Sequence, residues 1–261
     1  MVADRWRDGR VFLAGDAAHL WVPMGGFGMN AGIADATALS WRLAGALAGW
    51  AGDALLDSYQ LERAPIGESI AEQAVLWSIG TGRHMAEAQP HIEALEASGA
   101  EATAARAAFG ERISADLLSE FECPGFQLGY VYSDSPVVVA DELTEPASTA
   151  VVDYVATSWP GARLPHVDLG ERGSVFDHLG DGFTLIRVGA DAPSGGALVS
   201  EAERHGVPLR TLDVDANAVG DAWDGAPLIL VRPDDHVAWR SLTEPTQGDA
   251  AGVLAVVTGR R

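Results

Sequence analysis

Between Arg10 and Asn30 the chain reads Arg-Val-Phe-Leu-Ala-Gly-Asp-Ala-Ala-His-Leu-Trp-Val-Pro-Met-Gly-Gly-Phe-Gly-Met-Asn, and no other stretch ties so many backbone-special residues to a fixed spacing. Val11, Phe12, Leu13 and Ala14 are a continuous apolar run closed by Gly15-Asp16, the pattern of a strand buried on both faces of a sheet. Asp16 then falls at the carboxyl end of that strand. Open α/β sheets bind ligands there, and a carboxylate can accept hydrogen bonds from a polyol. Gly25, Gly26 and Gly28 allow the backbone to approach a flat ligand and turn its amides toward it. Pro23 gives the loop a rigid wall. Asn30 is expected to cap a helix whose apolar positions are Ile33, Ala36, Leu39, Leu43 and Leu47. The open N–H groups of such a helix start favour an electron-rich ligand edge by roughly 0.3–1 kcal/mol.

Spacing alone leaves other readings open. Gly26-Phe27-Gly28-Met29-Asn30-Ala31 has the G-x-G-x-x-A form of a dinucleotide fingerprint. That fingerprint needs a strand ending at its first glycine, whereas the strand candidate stops about ten residues earlier and no second strand with a ribose-binding acid follows. A connector loop, with Asp16 as a turn residue and His19 as a packed or solvated one, fits the same spacing.

A longer set of residues narrows the choice. Gly15-Asp16-Ala17-Ala18-His19, Pro23-Met24-Gly25-Gly26-Phe27-Gly28-Met29-Asn30, Ile33-Ala34-Asp35-Ala36, Trp41-Arg42-Leu43-Ala44, Leu55-Leu56-Asp57-Ser58-Tyr59 and Glu62-Arg63-Ala64-Pro65 follow one another in order. Together they resemble the second flavin-binding segment of class A flavoprotein aromatic hydroxylases, the group of the para-hydroxybenzoate and phenol hydroxylases. The resemblance implies that Asp16, after Gly15, serves the ribityl chain and pyrophosphate region of FAD, that Pro23 lies beside the isoalloxazine ring, and that Gly25 and Gly26 shape the loop. It places the Gly28, Met29 and Asn30 backbone at the pyrimidine edge. One departure is Val22-Pro23, where the family commonly has two prolines. The family's G-x-G-x-x-G loop and substrate-covering sheet precede this segment, and neither is found here. The expectation is therefore a C-terminal portion, with an N-terminal half or a homodimer partner supplied elsewhere, or else a non-catalytic remnant or assembly module.

Composition bounds the partners. With 17 basic residues, all Arg, against 37 acidic ones, the net charge is −20. No basic cluster offsets it, so nucleic acid is excluded as a partner and anionic membranes repel the chain. The single Cys123 rules out an internal disulfide framework and agrees with a cytoplasmic location. It is expected to be a small, partly buried residue. No apolar run reaches membrane-spanning length, and no His, Cys or Glu grouping has metal-ligand spacing.

From Asp53 to about Glu122 the pattern is helical. Leu55, Leu56 and Tyr59 mark a short helix, Pro65 suits the first turn of the next with Ile66, Ile70, Ala74 and Trp77 on one face, and a third helix runs over Ala100 to Phe121. Phe109, Ile113, Leu117 and Leu118 form its apolar stripe. A Ser-, Pro- and acid-rich linker, Ser133 to Ser148, leads to a second unit. There the pattern gives a hairpin at Val167–Phe176, strands Phe183–Val188 and Leu209–Val214 around a helix Ala197–His205, strands Leu228–Val231 and Val237–Arg240, and a last helix Gly248–Val257. This is the element order of a thioredoxin-like domain. A cis Ala226–Pro227 bond is expected where thioredoxins carry one. The segment Gly189 to Gly196 holds no cysteine, so dithiol chemistry is excluded for this unit. Pro160-Gly161-Ala162-Arg163-Leu164-Pro165-His166, Asp181-Gly182-Phe183-Thr184-Leu185 and Val231-Arg232-Pro233-Asp234 with Val237-Ala238-Trp239-Arg240 resemble the C-terminal domain of the phenol hydroxylase branch.

The expected fold is thus α/β: the C-terminal remnant of a glutathione-reductase-like FAD-binding domain over residues 1–132, a linker over 133–150 and a thioredoxin-like domain over 151–261. The implied reaction takes electrons from NAD(P)H through FAD and transfers one hydroxyl from O₂ to a small aromatic or polyketide-type substrate. No side chain is assigned as a general acid or base.

Overall fold

The computed structural model describes residues 1–140 and 151–261. The N-terminal part opens with a two-residue antiparallel pair, β1 (Arg7–Asp8) and β2 (Val11–Phe12), followed by a 3-10 turn at Gly15–Ala17. The expected strand buried on both faces is corrected: β2 is two residues long, and Val11 is exposed. Among the described residues it has a single partner strand.

α1 (Phe27–Ala48) starts three residues before the expected cap. Gly26, at φ +69, is the N-cap, and Asn30 lies inside the first turn with its Nδ2 donating to Gly26 O at 2.8 Å. The expected apolar stripe is also corrected. Ile33 is exposed and Leu47 is 89 % exposed, whereas Ala31, Asp35, Ala38, Trp41, Arg42 and Gly45 are buried. The buried face carries two charged residues because α2 supplies charges opposite them.

α2 (Asp53–Ala88) is one helix with Pro65 inside it, not two. Proline removes one rung, the bond to the Leu61 carbonyl. Leu61 lies on the exposed side of α2, and the helix continues through the proline. Short α3 (Ile92–Glu96) precedes α4 (Ala100–Phe121), whose bounds are those expected, and α5 (Pro124–Leu128). Cys123, ahead of α5, is fully buried. No helix among the described residues is long and apolar enough to cross a membrane.

The second unit is built on a four-stranded sheet of β3 (Phe183–Val188), β4 (Leu209–Val214), β5 (Leu228–Val231) and β6 (Val237–Ser241). The spatial order is β4-β3-β5-β6; β3 and β4 are parallel, and the other pairs are antiparallel. α6 (Gly196–Arg204), α7 (Ala216–Val219) and α8 (Gln247–Val257) complete it. The expected hairpin at Val167–Phe176 is a tight reversal: Leu169 N bonds Gly173 O and Val175 N bonds Val167 O. Strand alternation divides the core. Phe183, Leu185, Leu228 and Leu230 face one side, and Ile186, Ile229 and Val231 face the other with Trp223 and Leu164. The Ala226–Pro227 bond is trans, against expectation. Asp224 and Gly225, at φ +53 and +70, already reverse the chain, so no cis bond is required.

The two parts share a core. Trp41, Trp50 and Leu55 pack in one cluster with Phe183, Leu185 and Leu254. The end of α8 also docks on the start of α2, where Gly52 N donates to Thr258 O at 2.8 Å. A Cβ on Gly52 would lie 2.0 Å from Gly259 O, and one on Gly259 would lie 2.2 Å from Leu55 N. Of the Ser133–Ser148 stretch, Val137 is fully buried and Val139 N bonds Ala238 O. Residues 141–150, with the rest of the expected linker, lie outside the described residues.

Candidate functional site

Gly25 and Gly26 are both left-handed, at φ +68 and +69, and they deliver the chain into α1. A Cβ on Gly25 would sit 2.5 Å from Trp77 Cζ3, while one on Gly26 would meet nothing within 4 Å. Behind the turn, Phe27 stacks on Trp77 at 5.9 Å and Gly25 N donates to Glu120 Oε1 at 3.3 Å. Gly25→Ala should therefore cost about 2–4 kcal/mol, from left-handed strain plus the Trp77 collision, against about 1–2 for Gly26→Ala. Paired thermal melts check this; equal losses would mean that Trp77 does not form the wall.

Among the described residues no side chain caps the start of α1. The N–H groups of Phe27, Gly28 and Met29 therefore remain open, while that of Asn30 belongs to the first helical bond, accepted by Gly26. Met29 and Pro23 are exposed. Pro23 lies in a tight turn closed by Met24 N on Val22 O at 2.7 Å.

Gly15, at φ +56, packs against Gly32 of α1; a Cβ on Gly32 would lie 3.4 Å from Gly15 Cα. Gly32 is five residues past the helix start, about 8 Å along the axis. Asp16 therefore belongs to a turn seated on the helix that the glycine turn begins. Its carboxylate is exposed and has no hydrogen-bond partner among the described residues.

One carboxylate holds this arrangement. Asp35 of α1 is fully buried and accepts from Gly15 N at 3.0 Å, from His19 Nε2 at 2.6 Å and from Arg63 Nε at 2.8 Å. Burial alone would raise its pKa, but the His19 hydrogen bond, the Arg63 charge and the Gly15 N–H outweigh it and hold the carboxyl below its ordinary value. His19 is packed, not solvated: it is buried and stacks on Trp21 at 4.6 Å. Asp35 thus fixes the acidic turn directly and, through His19 and Trp21, the loop leading to Pro23.

A cavity of about 340 Å³ lies beside the glycine turn, touching Gly25, Phe27, Asn30, Ala34 and Arg63. Asp16 does not line it. Ala34 is two residues, about 200°, round the helix from Gly32, so the cavity and the acidic turn occupy opposite flanks of α1.

A second buried cluster ties α1 and α2 to the sheet unit. Glu62 receives Arg232 Nη1 and Nη2 at 2.7 and 2.8 Å, Ser135 Oγ at 2.5 Å, and Arg42 Nη2. Asp234 accepts from Arg232 Nη2 at 2.6 Å and Trp41 Nε1 at 2.9 Å. Two arginines face two acids, all buried, so the cluster is electrically balanced.

A family profile described as FAD binding domain matches residues 1–74, and one described as aromatic-ring hydroxylase, C-terminal, matches 157–260. Tetracenomycin A2 monooxygenase-dioxygenase of Streptomyces glaucescens is 38 % identical over 97 % of this chain and 41 % of its own length. The rebeccamycin biosynthetic enzyme RebC with reduced flavin superposes with a TM-score of 0.84 at 34 % identity, over all of this chain and 47 % of its own. The chain is homologous to FAD-dependent aromatic-ring hydroxylases over nearly its whole length. The flavin-dependent monooxygenase PieE, solved with FAD and substrate, gives a TM-score of 0.83 at 31 % identity, covering all of this chain and 49 % of that one. The chain spans less than half the length of each of these three proteins.

Sequence reasoning did not assign roles to Asp35, Arg63, Glu62 or Arg232. For Asp35 the available signal was a charge on the α1 face that also carries Ala31, Ala38 and Trp41, spaced by three and four residues.

Proposed function

We propose that this chain forms the flavin-ring side of a FAD-dependent monooxygenase that hydroxylates an aromatic or polyketide-type substrate with NAD(P)H and O₂. The observation that carries the reading is the uncapped start of α1, reached through two left-handed glycines, with Asp16, which has no hydrogen-bond partner among the described residues, on a turn seated about 8 Å further along the same helix. The residues fit the cofactor. The Gly25 turn is backed by Trp77 and Phe27, the open Gly28 and Met29 amides suit an electron-rich ring edge, and Asp16 can accept hydrogen bonds from the ribityl hydroxyls. In the same arrangement Gly15 and Gly26 provide close approach, Pro23 borders the ring, and Asn30 supports Gly26 through its side chain. When bound, FAD supplies the electron transfer and oxygen activation; the protein positions it and excludes water. The relatives named above are enzymes, two of them monooxygenases, which favours an enzyme over a non-catalytic assembly module.

The C-terminal unit is read as a thioredoxin-like domain without redox chemistry. Its strand order, with a parallel pair joined through α6 and an antiparallel pair before α8, supports this. At the start of α6, where a redox thiol would sit, Ser194 N and Gly195 N donate to the Glu244 carboxylate at 2.5 and 3.2 Å. An internal anion thus takes the place at the helix terminus. The domain limits 1–132 and 151–261 follow from the same reading.

Asp16→Ala should weaken FAD binding by about ten- to a hundredfold, as expected for a lost hydrogen bond to a charged group. Quenching of FAD fluorescence on titration measures this. Equal affinity in the variant, or no flavin retained by the wild type, would refute the assignment.

A further inference from the structure

We propose that Glu120 of α4 is a positioning residue for the flavin. By accepting from Gly25 N it fixes which way the Met24–Gly25 peptide faces, and so sets how tightly the site holds reduced FAD relative to oxidised FAD. The inference rests on the flavin reading above and deepens it, since it gives a tuning role to a helix outside the acidic and glycine turns.

α4 grips the glycine turn from behind at two adjacent residues. Ser119 Oγ accepts from Trp77 Nε1 at 3.0 Å, and Trp77 is the ring that a Cβ on Gly25 would strike. Glu120 Oε1 accepts from Gly25 N at 3.3 Å across 95 residues of sequence. Glu120 is 9 % exposed, and among the described residues this is its one hydrogen bond, with no arginine or histidine paired to it. Burying a carboxylate without a counter-charge is costly, and the backbone amide offsets that cost.

The orientation of the peptide is what this bond decides. Gly25 is left-handed at φ +68, and glycine takes either sign of φ, so the backbone alone leaves the Met24–Gly25 plane free to turn over. Trp77 bounds the position of Gly25 but offers its amide no acceptor. The peptide is trans, so with its N–H turned to α4 the Met24 carbonyl points the opposite way, off the side that α4 fills. A carbonyl dipole there opposes added electrons on a nearby ring, whereas an N–H would favour them. Held by Glu120, the peptide withholds that stabilisation from reduced flavin.

Two substitutions separate the parts. Glu120→Ala removes the acceptor, and Glu120→Gln keeps an oxygen acceptor without the charge. In the FAD-free chain, Gly25 amide exchange in Glu120→Ala should accelerate by about tenfold or more beyond any change in β3, as for a lost hydrogen bond to a charged group. With FAD bound, dye-coupled anaerobic reduction should show the affinity ratio moved toward reduced FAD by about fivefold, a rise of about 20 mV for a two-electron couple. Glu120→Gln should return both readouts to the wild-type values. Glu120→Met keeps the bulk of the side chain and serves if the alanine variant loses its native circular dichroism. Equal weakening of both FAD forms, unaltered Gly25 exchange, or a potential shift that persists in Glu120→Gln overturns the proposal, the last because it traces the effect to charge rather than to peptide orientation. A wild type that binds neither form of FAD refutes the flavin reading and the proposal with it, whereas a wild type that binds both, with Glu120→Ala unchanged, refutes the role of Glu120 alone.

Discussion

Glu62→Ala should destabilise the protein by about 3–5 kcal/mol, the usual cost of breaking a buried ion pair from one side. The carboxylate is fully enclosed and meets Arg42 and Arg232 together, so its removal leaves two buried guanidinium groups with Asp234 alone. Urea unfolding at neutral pH measures the loss. A change as small as that from exposed Glu72→Ala, within about 0.5 kcal/mol, would mean that the cluster does not join the two parts. The pH response has a defined sign. Burial works to raise the Glu62 pKa, but the charges of Arg232 and Arg42 bring it down to about 2 from an ordinary 4.5. A depressed acid stabilises the fold above its unfolded pKa, and that contribution disappears as pH falls through the folded value. The Glu62 contribution should therefore be complete above pH 4.5 and erode between 4.5 and about 2. In Glu62→Gln this part of the acid dependence should be absent.

Asp35→Ala should cost a similar amount, about 3–5 kcal/mol, for a different local reason. It leaves Arg63 buried without its carboxylate and removes the acceptor of Gly15 N and His19 Nε2. The acidic turn then loses its tie to α1, so amide exchange at Gly15 should accelerate beyond the global loss. Asp35→Asn keeps the shape without the charge and should lie between wild type and alanine. Exchange at Gly15 no faster than at amides in β3 would show that the turn is held by something other than Asp35.

Much of the second unit was legible from local pattern. The limits of β3, β4 and β5 match the expected spans because glycine or proline breaks the chain before each, at Gly182, Pro208 and Pro227, and each run then carries apolar residues at strand spacing. The long helical region was legible for the same reason, but its continuity through Pro65 was not, since that depends on which side of the helix Leu61 lies. The glycine turn was visible as composition. Its register was missed because Asn30 is a favourable cap in isolation, whereas the observed start uses two left-handed glycines, the first of which is fitted against Trp77.

By itself, the sequence determined that an acidic turn and a glycine turn stand one loop apart and lead into a helix, and that an α/β unit without a dithiol follows. Those features depend on backbone preference and short-range periodicity. Only the tertiary structure decided which face of α1 is buried, because its charged positions find partners far away: Asp35 meets Arg63 across 28 residues, and Glu62 meets Arg232 across 170. A charge is tolerated in a core only when its counter-charge arrives by folding, and no local window of sequence contains both.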